Sequence, residues 1–138
     1  MRFPNWPDLL AGFIEARRSR PFEWGANDCC LFAADWVALA TGKDPAAELR
    51  GTYSTAFGAQ RIVADAGSLA QLVEAALIRH GFSPVGATLA ARGDLIVRDS
   101  GQGDCVGVVL GAQSAFVAAE GLAFASTYEQ TDSRFWRI

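Results

Sequence analysis

Histidine and lysine are nearly absent from this chain. His80 is the only histidine and Lys43 the only lysine among 138 residues. A metal site built on imidazoles is therefore excluded, and so is a lysine-rich surface for phosphate backbones. Cysteine is also sparse. The three present are Cys29, Cys30 and Cys105, an odd number with two adjacent and no Cys-x-x-Cys spacing. That pattern is neither a disulfide framework nor a zinc motif. No run reaches the ~18 uninterrupted apolar residues of a membrane span. The opening residues Met1-Arg2-Phe3-Pro4-Asn5-Trp6-Pro7 have no charged region followed by an apolar stretch, so no leader is expected and the chain is placed in the cytoplasm, or in a particle assembled there. With a formal net charge of -3 and no basic field, nucleic acid is not an expected partner. No cofactor or metal is expected either.

What the chain does have is apolar residues, 51% of the total. Its mean hydropathy is +0.16. One domain spanning 1–138 with a sizeable core is expected. The first half reads as helices. Pro7 suits a first helical turn, and Leu9, Leu10, Phe13 and Ile14 make a stripe along a helix to about Arg18. Arg17, Arg18 and Arg20 then read as a solvated helix end. A second helix spans Asp28–Thr41, with Asp28 as N-cap and Gly42 as stop. Between the caps its only charge is Asp35, so this helix belongs in the middle of the fold. Asp44-Pro45 begins a short helical turn to Arg50. Ser54 caps a helix over Thr55–Ala66, and Ser68 caps another over Leu69–Arg79.

After Pro84 the period shortens. Leu95–Arg98, Val106–Leu110, Ala115–Ala119, Leu122–Ser126 and Phe135–Ile138 read as strands, with hairpin turns at Gly101–Asp104 and Gly111–Ser114. Helices followed by a meander predict an α+β domain, N-terminal helices packed on a C-terminal antiparallel sheet of about five strands.

Chemistry concentrates at Trp24-Gly25-Ala26-Asn27-Asp28-Cys29-Cys30. A thiol in the first turn of a helix has its thiolate favoured by unsatisfied N–H groups, although the Asp28 carboxylate opposes this. Both cysteines also fit a plainer role as small apolar groups. The four tryptophans are scattered and read as packing. Gly25, Gly93, Gly107 and Gly111 read as tight turns and close backbone approaches.

The order of these pieces resembles the NlpC-type cysteine peptidases, a papain-like family. Its nucleophile lies in Asp-Cys-Ser-Gly-Phe/Leu-Val, matched by Asp28, Cys29 and loosely Phe32. Its base opens His-Val-Gly-Ile-Tyr-x-Gly after Gly-Asp-Leu-Val, the frame of Gly93-Asp94-Leu95-Ile96-Val97 and Cys105-Val106-Gly107-Val108-Val109-Leu110-Gly111. Cys105 stands where that histidine would be. The third polar position falls near Phe116-Val117-Ala118, all apolar. His80 closes a helix and is read as a dipole partner. Asp104 and Glu120 lie near the right strands, but a carboxylate is a poor base for a thiol at neutral pH.

The resemblance, closest to a phage tail-associated branch, implies a papain-like NlpC-type fold and a non-catalytic structural or assembly protein of a phage tail tip. Its partners would be other tail proteins, and its place the bacterial host cytoplasm during assembly and then the virion. The alternative is a cysteine peptidase or amidase on cell-wall peptides, with Cys29 as nucleophile and an unconventional base. A thiol-based metal or redox site on Cys29 and Cys105 is a third reading. The resemblance also implies that Cys29 and Cys105 face each other and would link to each other in preference to Cys30–Cys105. Finally, the apolar ends suggest that Trp6, Phe135 or Trp136 lies at a protein interface.

Overall fold

A computed structural model describes all 138 residues. Four helices lead, α1 (Trp6–Arg17), α2 (Cys29–Thr41), α3 (Ala56–Ala66) and α4 (Leu69–Arg79). Six strands follow, β1 (Ser83–Val85), β2 (Leu95–Asp99), β3 (Asp104–Val109), β4 (Gln113–Ala118), β5 (Gly121–Ser126) and β6 (Arg134–Arg137). They form one antiparallel sheet in the order β1-β6-β2-β3-β4-β5. The α+β class and the segregation of helices and strands are as the pattern predicts. The extra strand is β1. Its Pro84 lacks an N–H and argues against a strand in sequence, but at the sheet edge that donor is not required.

The caps explain the helix bounds. The Asp28 carboxylate accepts from Leu31 N at 3.0 Å, and Gly42 closes α2 in the left-handed region. The cap of α3 is Thr55, which accepts from Gly58 N at 3.1 Å, one residue beyond the expected Ser54. Asp44–Arg50 forms turns held by the Asp44 carboxylate on Ala46 N, with no continuous helix.

Strand alternation divides the apolar residues into two layers. Leu95 and Val97 of β2, Val106 and Val108 of β3, Ala115 of β4 and Trp136 of β6 face the helices, joining Phe13, Phe32 and Trp36 in the main core. Ile96, Val109, Phe116 and Phe135 face the other way and form a smaller cluster. Gly107 is required where β3 meets β4, because a Cβ there would lie 2.6 Å from the Ala115 carbonyl oxygen and 2.5 Å from the Phe116 ring.

Two buried polar groups fasten this arrangement. The Trp36 indole donates to the Gly93 carbonyl at 2.8 Å. The fully buried Asp94 carboxylate accepts from Ala91 N, Ile138 N and the Arg137 and Arg2 guanidinia, at 2.9–3.4 Å. The Gly-Asp pair thus ties both chain ends to the sheet. Of the three apolar end residues expected to include one at a protein interface, two are enclosed by the chain itself and Trp6 is half-buried. Phe135 and Trp136 are buried in the chain's own core, and Trp6 packs against it under the Arg2 guanidinium. The arginine-rich end of α1 is also more than a solvated terminus. Arg17 bonds Asn27 Oδ1 at 3.1 Å and Asp35 at 2.5 Å, and Asp35 bonds Arg50 at 2.7 Å.

No helix is long and apolar enough to cross a membrane.

Candidate functional site

Asp28 and its hydrogen bonds shape the turn that presents Cys29. Besides capping α2, the carboxylate accepts from Gly25 N at 3.0 Å and from the Tyr53 hydroxyl. A Cβ on Gly25, whose φ is +77°, would collide with the Tyr53 carbonyl, so the Trp-Gly turn and the 51–54 loop can meet only over a glycine. Burial beside the Asp28 carboxylate pushes the Tyr53 hydroxyl far above its ordinary range, so it stays protonated and donates. Buried Asn27 locks the same turn by donating to the Arg20 and Pro21 carbonyls at 3.3 and 3.0 Å.

Cys29 and Cys30 sit on the floor of a cleft of about 300 Å³. Its walls are Trp24 and Tyr53 on one side, Ile62 and Val63 of α3 on another, and Gly103 and Asp104 at the start of β3. The two thiols are driven apart in acidity. A hydrogen bond from the Cys30 side chain stabilises the Cys29 thiolate. Burial and the Asp28 charge work against that, while the backbone of Val106 and of Cys30 assists, and the net shift is downward. Cys30, half-buried and donating to Cys29, is pushed well up, by that hydrogen bond first and then by burial.

Cys105 packs apart from the main core. Along β3 the residues facing α2 are Val106 and Val108, so Cys105 projects to the opposite face. There it packs with the Ile96 and Phe116 cluster, beside its cross-strand partner Arg98. Burial raises its thiol to about 11. The nearby Cys29 charge adds to the rise, while Arg98 opposes it. The Val106 backbone reaches the Cys29 sulfur, and Cys29 and Cys105 feel each other's charge across the start of β3. Their side chains leave different elements, Cys29 from the first turn of α2 and Cys105 from the β3 face that carries Ile96 and Phe116, and all three cysteines are free thiols.

The groups at the cleft that sequence reasoning did not assign are Tyr53, Trp24 and the α3 side chains. They come from separate segments, and no local motif marks them. His80 is remote in role. Its Nδ1 pairs with the Ala76 carbonyl at 2.9 Å at the end of α4, the dipole position expected of it. No imidazole lines the cleft, and its carboxylates are Asp28, already engaged in capping, and Asp104. Glu120 lies in the β4–β5 turn, exposed. No group of three or more His, Cys, Asp or Glu side chains is placed to hold a metal ion.

No curated protein and no solved structure matches the chain. The match that exists spans its full length, residues 1–138, to a family described as a domain of unknown function (DUF6950), and the chain belongs to that family.

Proposed function

We propose that this protein is a non-hydrolytic relative of the NlpC-type cysteine peptidases that serves as a structural or assembly component of a phage tail tip. One observation carries the first half of the reading. The cleft holds a thiol at a helix N-terminus whose thiolate is favoured, yet no imidazole lines it to serve as base and then as acid. Hydrolysis of an amide through a thiol needs a group that takes the thiol proton and returns it to the leaving amine, worth ~10²–10⁴ in rate. Val106 occupies the β3 position that faces α2, and its side chain has no proton to exchange. The family frame and the order of elements support the second half.

The test has two arms. Purified cell-wall peptides incubated with the protein should release no new amines, with or without Cys29→Ser. Particles made by a bacterium carrying the gene should contain the chain in their tail fraction, and Cys29→Ser should assemble as the parent does. Turnover abolished by Cys29→Ser would overturn the first half, and absence from tails and tail intermediates the second. Asp104 lines the same cleft and is the one carboxylate there free of capping duty, which favours it as base in the alternative reading. If turnover is found, Asp104→Asn should reduce it along with Cys29→Ser.

A further inference from the structure

Residues 51–67 leave the body of the domain between two glycines, Gly51 at φ +76° and Gly67 at φ +103°. Each glycine adjoins a well-anchored point. Ahead of Gly51, the Arg50 guanidinium bonds Asp44 at 2.6 Å and Asp35 at 2.7 Å. After Gly67, Ser68 caps α4, whose Val73 and Leu77 belong to the main core. A Cβ on Gly51 would meet nothing within 4 Å, so no packing fixes the backbone there. Residues at such points absorb the dihedral changes of a moving element.

Between these points the segment is weakly held. No residue from 51 to 67 is buried, and α3 is the one helix of the four without a buried side chain. Its charged residues, Arg61 and Asp65, form no ion pair. Thr52 bonds the Leu49 carbonyl at the hinge itself. From Tyr53 onward, one hydrogen bond joins the segment to the rest, the Tyr53 hydroxyl donating to Asp28. The Tyr53 side chain also lies against the first turn of α3, where a Cβ on Gly58 would come within 3.1 Å of it. One side chain thus ties α3 to the N-cap of α2. The other attachment is apolar. α3 leans on α4, and its Ala59, Ile62 and Val63 face the cleft of about 300 Å³ that has Cys29 on its floor. A helix seated on a core has close-packed side chains beneath it, and this one has the cleft.

We infer that residues 51–67 form a flap that swings as a unit about Gly51 and Gly67, latched by the Tyr53 hydroxyl on Asp28, and that its opening sets how large a molecule reaches Cys29. Elements with few buried side chains open locally, well below the free energy of global unfolding. Opening takes Ile62 and Val63 out of the cleft wall and uncovers Leu49 and Leu72 behind them. The latch lies on the carboxylate that caps the helix carrying Cys29, so flap and thiol share one anchor. The inference does not depend on the proposed function.

The test is amide hydrogen exchange of the whole chain, read residue by residue by NMR. Beside it, Cys29 is alkylated with iodoacetamide and with a polyethylene-glycol maleimide, and the label is located by peptide mapping. In the parent, amides 60–66 should exchange at least about a hundredfold faster than those inside α2 and α4. Tyr53→Phe should speed α3 exchange about tenfold or more, the effect of losing one hydrogen bond to a charged group, and leave the interior of α2 and the sheet unchanged. Ile62→Ala should act the same way through the apolar wall, and it carries the test if Tyr53→Phe folds poorly. In both variants the ratio of maleimide to iodoacetamide labelling at Cys29 should rise. The ratio isolates access, because both reagents need the thiolate. Parent α3 amides as slow as those of α2, variants that speed α2 and the sheet by the same factor as α3, or a labelling ratio that does not rise would each overturn the inference.

Discussion

Trp36 is the residue on which the central helix depends most, and its replacement gives the sharpest test of the fold. Its side chain is fully buried, with the Phe13 ring centroid 6.0 Å away. Truncation to alanine removes a large aromatic volume from a layer bounded by α1 and the sheet, at a cost of about 3–5 kcal/mol. That is a large share of the 5–15 kcal/mol that holds a typical domain together. In a chain of this length it corresponds to a fall in Tm of about 10–20 °C. Trp36→Phe separates packing from polarity. It keeps most of the apolar contact but leaves the buried Gly93 carbonyl without its 2.8 Å donor, an unsatisfied group worth about 1–3 kcal/mol. The phenylalanine variant should therefore melt between the parent and the alanine variant. Thermal unfolding by circular dichroism, backed by urea titration, measures all three. An alanine variant melting within about 2 °C of the parent would refute both the central place of α2 and the anchoring of the Gly-Asp turn to it.

The remaining predictions concern charge and the thiols. Asp94→Ala should cost about 3–5 kcal/mol in urea unfolding, because Arg2 loses a buried partner and two backbone N–H groups lose their acceptor. Alkylation followed by peptide mapping should label Cys29 first, with a rate that rises at lower pH than for an ordinary thiol. Cys105 should respond only as the pH nears 11, and Cys30 should be slowest; equal labelling of the three would contradict the cleft geometry. The raised Cys105 thiol also makes a stability prediction. Below about pH 8 it is neutral in both states. From about 9 to 11 the unfolded chain releases the proton and the folded chain does not, so stability must fall as pH rises through that window. Cys105→Ala should flatten that part of the curve, and an unchanged slope would mean that the thiol is not held neutral by the fold.

Much of the fold was legible because its signals are local. Asp28 and Gly42 bracket α2 at the residues where the caps form, and the Gly101 and Gly111 turns lie where hairpins close. β1 was not legible, since Pro84 speaks against a strand wherever the neighbouring strands are unknown, and only the return of β6 between β1 and β2 makes it an edge. The cleft was half legible. Cys29 follows from its helix, but Tyr53 reaches Asp28 from a loop that carries no motif of its own.

The base position illustrates a different limit. A motif match aligns letters, while a strand assigns faces, and on a pleated sheet a displacement of one residue moves a side chain through the sheet. The letters set Cys105 against the family's histidine. The register sets Arg98 against Cys105 and Val97 against Val106, and the latter pair belongs to the layer under α2. Replacing Cys105 with histidine would therefore put an imidazole among Ile96, Phe116 and the Arg98 guanidinium, whose positive charge opposes the protonated form that a base must pass through. The replacement on the other face is Val106→His, at the residue whose backbone reaches the Cys29 sulfur. It costs a buried valine, and it is the one that asks whether the cleft lacks only a base. Peptide hydrolysis gained by Val106→His, lost again with Cys29→Ser and not gained by Cys105→His, would establish that the geometry of a hydrolase persists here. Activity gained through Cys105→His alone would refute the assignment of faces.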